Sequence, residues 1–195
     1  MIVEGKGAVE PRPARVRITN SDLAVLRCEA DRRNRHRSYS SSASQWSRGL
    51  ASNPILIGMV GELAIETFLQ SRGIKCSVLD FSLSDGDGGK DAVIAGVSYQ
   101  VKTSAKSYDT CLVRRVVSGG RVHGLVSDRY VFCRWEVGDS HCDIRGWCDR
   151  KTLLTSSRHV KSKRGDWFNL EMPAKHFLSV ESLASLIRQE AANVQ

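Results

Sequence analysis

From Ile55 to Arg72 the chain carries Val60, Leu63, Ala64, Ile65, Phe68 and Leu69, spaced so that a helix built from them is apolar on most of its faces. Such a helix has to be covered on nearly every side, and Gly73 directly after it supplies a stop. The rest of the chain must therefore wrap around this segment. Within it Glu62 and Glu66 stand one turn apart. A carboxylate in so apolar a stretch is costly unless something charged faces it, so a partner is expected for Glu62. Glu66 is expected to be solvated or paired with Arg72.

Strand-length segments follow the helix, at about residues 74–79, 91–94, 98–103, 111–117, 129–136 and 143–148. Ala95-Gly96 and Ser118-Gly119-Gly120 supply turns between neighbours. Asn20 or Ser21 can cap a first helix over about residues 22–33, with Leu23, Leu26 and Ala30 on one face. Ser179 can cap a last one, with Leu183, Leu186 and Ile187 facing inward. Residues 1–18, which include Pro11 and Pro13, read as an extended leader, and the serine-rich stretch 38–44 as a loop. The expected fold class is α/β, a mixed sheet flanked by helices. Residues 1–50 would form an N-terminal helix and an Arg/Ser-rich arm. Residues 51–195 would form a single domain with a basic loop at about 145–165.

The formal charge of +8, from 29 Lys and Arg against 21 Asp and Glu, suits a polyanionic partner. Its distribution is more informative than its size. One cluster holds Arg32, Arg33, Arg35, Arg37 and Arg48; a second runs through Arg145, Arg150, Lys151, Arg158, Lys161, Lys163 and Arg164. Two such clusters around a mixed centre resemble arms around a nucleic acid more than a uniform coat. Tyr39 and Trp46 could stack on bases or pin the arm to the core. Trp135, Trp147 and Trp167 alternate with basic residues, but burial is the default for at least two of them. No apolar run approaches the ~18 residues of a membrane span. With no secretory signal at the start either, a cytoplasmic protein is expected. The six cysteines are spread out and contain no Cys-x-x-Cys pair, so reduced thiols are expected over a zinc site at Cys142 and Cys148 with His141.

The chemistry concentrates between residues 85 and 102. Asp85-Gly86-Asp87-Gly88-Gly89-Lys90-Asp91 is followed by Ser98-Tyr99-Gln100-Val101-Lys102. Alternate side chains of a strand share a face, so Gln100 and Lys102 point one way while Tyr99 and Val101 point the other, towards a core. A hairpin across Ala95-Gly96 brings Asp91 to the same end of the sheet. A carboxylate, an amide oxygen and an ammonium then meet, with Glu62 available from a packed helix. Hard divalent cations take such oxygen ligands, and a cation there can activate water and neutralise charge on a phosphate. The glycines do not make a nucleotide loop: Lys90 precedes Asp91 rather than Ser or Thr, and no helix signal follows.

In this order the residues resemble the PD-(D/E)xK phosphodiesterase superfamily, in the variant where Gln replaces the second acidic residue. Within it they are similar to the nuclease domain of Mrr-type restriction endonucleases. That domain has a helical Glu, a turn reading Gly-Asp-Gly-Gly-x-Asp and a strand carrying Gln-x-Lys; here these are Glu62, Gly86 to Asp91, and Gln100-Val101-Lys102. The resemblance covers about residues 55–135. It implies a restriction-endonuclease-like core and Mg²⁺-dependent DNA cleavage, with Mn²⁺ as a substitute. It further implies catalytic residues Glu62, Asp91, Gln100 and Lys102, and a metal set of Asp91, Gln100, Val101 and Glu62. Gly61-Glu62-Leu63-Ala64, Asp91 and Gly146-Trp147 also look like small phage-borne nuclease-like proteins.

For Asp91 and Lys102 the competing reading is an ordinary cross-strand ion pair, worth under ~1 kcal/mol at a surface. The order of Glu62, the glycine turn, Gln100 and Lys102 favours the metal site. The expectation is a Mg²⁺-dependent DNA endonuclease gripping the DNA backbone through Arg32, Arg33, Arg35, Arg37, Arg48, Lys161, Lys163 and Arg164. No small-molecule cofactor and no membrane are expected. Cutting both strands would need two sites, as in a homodimer. The alternative is a nucleic-acid-binding protein that keeps the nuclease fold without cleaving.

Overall fold

The structure, a computed structural model, describes residues 11–37, 53–81, 90–105, 110–118, 121–123, 125–161 and 168–193. Its central layer is a five-stranded mixed sheet. The strands are β1 (Ala14–Arg17), β2 (Ala92–Ile94), β3 (Val97–Ser104), β6 (Arg129–Arg134) and β7 (His141–Asp149), in the order β1-β7-β6-β3-β2. β3 and β6 run parallel and the other pairs are antiparallel. The crossover between the two parallel strands contains β4 (Thr110–Ser118) and β5 (Arg121–His123). These join β8 (Arg158–Lys161) and β9 (Phe168–Pro173) in a second, antiparallel sheet of order β5-β4-β9-β8.

Helices α1 (Asn20–Arg37), α2 (Pro54–Ser71) and α4 (Val180–Asn193) cover one face of the central sheet. Leu26 and Ala30, then Val60, Ala64, Ile65, Phe68 and Leu69, then Leu183 and Ile187 pack there on Val101, Val131, Cys133, Ile144 and Trp147. The second sheet and the short α3 (Arg150–Ser156) cover the other face, where Tyr130, Phe132 and Cys148 meet Val113, Leu153, Leu170, Met172 and Phe177. β6 is thus buried on both sides, which explains its unbroken run Tyr130-Val131-Phe132-Cys133.

Local chemistry sets the helix ends. Thr19 Oγ1 accepts from the Asp22 N–H at 3.1 Å while Asp22 Oδ2 accepts from the Thr19 N–H at 2.8 Å, a reciprocal capping box that starts α1 a little before the expected position. Asn53 Oδ1 accepts from the Ile55 and Leu56 amides at 3.1 and 3.3 Å, and Pro54 needs no donor in the first turn. Ser179 Oγ caps α4 by accepting from the Ser182 N–H at 3.2 Å, as its sequence position predicts.

Three expectations are corrected. Residues 74–79 form no strand: Glu66 Oε2 accepts from the Val78 and Leu79 amides at 2.8 and 3.0 Å, so a side chain takes donors a ladder would need. Glu66 is therefore not paired with Arg72, whose guanidinium instead meets Glu181. The leader is extended where Ala14–Arg17 is described, and there it pairs with β7 as a strand of the sheet. The basic segment is not a loop as far as it is described: β7, α3 and β8 occupy it up to Lys161. The serine-rich stretch, Tyr39, Trp46, Trp167 and the glycine run before Lys90 lie outside the described residues. Trp135 and Trp147 are buried, so neither offers a stacking face. Among the described residues no helix is long and apolar enough to cross a membrane.

Candidate active site

The β2–β3 hairpin turns on Ala95 and Gly96, both at positive φ (50° and 79°), the backbone of a tight two-residue connection. Ala92 lies opposite Tyr99 and Ile94 opposite Val97. Asp91 continues this register: its N–H donates to the Tyr99 carbonyl at 2.9 Å, and its Oδ2 accepts from the Val101 N–H. Backbone and side chain of Asp91 thus grip β3 on either side of Gln100. The sequence pattern called for Asp91 at this end of the sheet, and the hairpin puts it there.

Helix α2 brings Glu62. It approaches β3 closely because position 61 has no side chain: a Cβ on Gly61 would lie 1.9 Å from Thr103 Oγ1. Glu62, Asp91, Gln100, Val101 and Lys102 consequently line one cleft of about 330 Å³, and Arg33 and Asp80 form another part of its wall. Gln100 is 7% exposed, so its amide belongs to the cleft floor rather than to open surface. Tyr99 and Val101 pack into the helical-side core, as strand alternation predicts.

The cleft is lined by three acidic residues, Glu62, Asp80 and Asp91, and by the Gln100 amide, the oxygen chemistry a hard divalent cation takes. Among the described residues no group of three or more His, Cys, Asp or Glu side chains is placed to hold a metal. A cation here would therefore rely on Glu62, Asp91, the Gln100 amide oxygen and Val101, completed by water, as Mg²⁺ sites commonly are. On that donor set the residues present fit Mg²⁺.

The basic residues divide. Glu29 is buried, and it receives Arg32 Nε and Nη2 at 2.6 and 2.7 Å and Arg33 Nε at 2.8 Å. Arg32 Nη2 also donates to the Phe81 carbonyl at 2.9 Å, and Arg33 to that of Asp80. The Arg32 hydrogen bond in particular, with help from Arg33 and against the opposing effect of burial, holds the Glu29 carboxyl down at about 2. These two arginines brace the cleft wall through α1, in addition to any contact they make with a ligand. Arg35 and Lys161 are exposed. Of Arg37 only the backbone is described, and Arg48, Lys163 and Arg164 lie outside the described residues.

Sequence reasoning missed Asp80 and Thr103 as parts of the cleft and missed the bracing role of Arg33. The spacing of Glu29 to Arg32 and Arg33, three and four residues, is a readable helix signal. Nothing in the sequence marks Asp80. The zinc alternative fails on placement, since Cys142 sits in the helical-side core and Cys148 in the core beneath the second sheet. All six cysteines are free thiols. Comparison of the chain with family models, curated proteins and solved structures gives no match.

Proposed function

We propose that this chain is a Mg²⁺-dependent DNA endonuclease, and that its mixed sheet with α2 is a restriction-endonuclease-like core of the PD-(D/E)xK kind. One observation carries the reading: Glu62, Asp91, Gln100 and Lys102, picked out by order along the chain, line the same cleft. Ordinary folding has no need to gather two carboxylates, an amide and an ammonium from a helix, a hairpin base and a strand.

The roles follow from chemistry and position. Glu62, Asp91, Gln100 and Val101 would hold Mg²⁺, and Mn²⁺ in its place. The bound ion would supply a more acidic water and neutralise charge on the phosphate. Asp91 is pre-aimed by its grip on β3, so presenting its carboxylate requires no reorganisation. Lys102, on the same strand face as Gln100, would orient the attacking water and offset negative charge as it builds. Arg33 places a guanidinium at the wall where a phosphate would enter. Exposed Arg35 and Lys161, with Arg37, Arg48, Lys163 and Arg164, would contact the DNA backbone, which gives affinity without sequence readout.

The test is cleavage of supercoiled, linear and single-stranded DNA with Mg²⁺, Mn²⁺ or EDTA at one salt concentration. The expected result is metal-dependent cutting that Asp91→Ala and Lys102→Ala each reduce by at least about 100-fold. Wild-type protein that retards DNA in a gel yet cuts none of these substrates with either metal would sink the nuclease reading. It would leave a binding protein that keeps the fold.

A further inference from the structure

Gly61 immediately precedes Glu62, and Thr103 immediately follows Lys102. The two meet where α2 lies on β3. A Cβ at position 61 would lie 1.9 Å from Thr103 Oγ1, 3.1 Å from its Cβ and 3.3 Å from its Cγ2, so the branched end of Thr103 occupies the notch left by the missing side chain. Gly58, nearly one turn earlier on the helix, has nothing within 4 Å of the same position, so close approach is required at Gly61 and not along the whole helix. The Thr103 hydroxyl is buried and has no hydrogen-bond partner among the described atoms. Hydrogen bonding therefore does not account for it, which leaves shape: Thr103 acts as a spacer of fixed size between helix and strand.

We propose that the Gly61–Thr103 contact is the joint that sets the separation of Glu62 from Lys102 and Gln100 across the cleft, with Thr103 a positioning residue that acts through them. The proposal rests on the nuclease reading above. The two groups nearest the joint in sequence belong to the two elements whose separation fixes the cleft, one residue away on each side. A helix and a strand that touch through a glycine notch cannot slide without losing the fit, because packed side chains resist small displacements. Shifting Glu62 outward would weaken a shared cation before it unfolds anything.

The experiment compares wild type, Gly61→Ala, Thr103→Ala, the double variant Gly61→Ala/Thr103→Ala, and Thr103→Val. Three quantities are read: Mn²⁺ binding from loss of the free-ion paramagnetic resonance signal, the Mg²⁺ concentration for half-maximal cleavage, and Tm. Gly61→Ala should weaken Mn²⁺ binding and raise the Mg²⁺ requirement by ~10-fold or more, on the scale expected for a misplacement approaching 1 Å. Removing the Thr103 branch in the double variant should restore both to within about threefold of wild type. Thr103→Val keeps the branched shape and should leave both metal quantities within about threefold of wild type, whereas Thr103→Ala removes the spacer and should raise the metal requirement by ~10-fold. These two arms keep the test decisive if Gly61→Ala fails to fold. Metal binding unchanged in Gly61→Ala and Thr103→Ala, a Thr103→Val variant as impaired as Thr103→Ala, or a fall in Tm with no change in metal requirement, would overturn the joint. Wild type that neither binds Mn²⁺ nor cuts DNA would overturn the nuclease reading instead.

Discussion

At the scale of single residues, carboxylates in and around the cleft hold its backbone in place. Asp91 closes the base of a hairpin while its carboxylate is aimed by the Val101 amide. Glu66, one turn from Glu62, holds the Val78 and Leu79 amides and so shapes the segment leading to Asp80. Glu29 gathers Arg32 and Arg33 and through them the carbonyls at Asp80 and Phe81. Its carboxyl lies at about 2 in the folded protein against an ordinary 4.5. A group lowered on folding stabilises above its unfolded value, and that contribution fades as pH falls through the folded value. Glu29→Gln should therefore lower the urea midpoint at neutral pH, and the gap to wild type should close as pH falls from about 4.5 towards 2. A gap that stays constant across that range would place the effect in packing rather than in charge.

At the scale of elements, the apolar pattern made α1, α2 and α4 readable, but of the caps only Ser179 was legible: Thr19 rather than Asn20 or Ser21 caps α1, and Asn53 caps α2. The segment 74–79 was misread because its apolar residues are buried without a ladder, the amides being held by Glu66 instead. β8 went unseen for the opposite reason: all four of its residues are exposed, so no alternation marks it. β7 carries a device that no pattern shows. Its register against β6 shifts between Phe132 and Cys133, leaving Arg145 as the extra residue. After that bulge Trp147 joins the helical-side core with Cys142 and Ile144, and Cys148 turns to the other core. Gly146 sits at the bulge with φ of 146°, and a Cβ there would lie 2.5 Å from the Leu178 carbonyl oxygen. Gly146→Ala should destabilise by about 2–4 kcal/mol, from backbone strain and overpacking together. Equilibrium unfolding in urea measures it, and a loss under about 0.5 kcal/mol, the level of an ordinary surface substitution, would contradict this account.

At the scale of the whole molecule, one sheet separates two cores. Helices pack on one side and an antiparallel sheet on the other, and β6 supplies residues to both. Arg129, stacked at 5.5 Å from the rings of Tyr99 and Trp147 and paired with Glu190, ties α4 to the same strand. Phe132 faces the second core and stacks on Phe177 with ring centroids 4.5 Å apart. Phe132→Ala should cost about 3–5 kcal/mol through lost burial and the cavity left behind. Because both cores share β6, heat or denaturant should unfold them together, with far-ultraviolet circular dichroism and tryptophan fluorescence giving one midpoint. Separate midpoints would mean that the second sheet is an independent folding unit.

The α/β class, the long buried helix, the hairpin at Ala95-Gly96 and the order Glu62, Asp91, Gln100, Lys102 were determined by the sequence alone. Each depends on spacing within one element or on neighbours a few residues apart, and such local patterns can be read along the chain. That there are two sheets, that Arg32 and Arg33 brace a wall, that Glu66 holds the Val78 and Leu79 amides and that Thr103 fits against Gly61 were decided only by the tertiary structure. Those contacts join residues a dozen to several tens of positions apart, and their existence depends on how the elements settle against one another. A glycine in a helix looks the same in the sequence whether it faces open space, as Gly58 does, or a threonine 1.9 Å from where its Cβ would be, as Gly61 does.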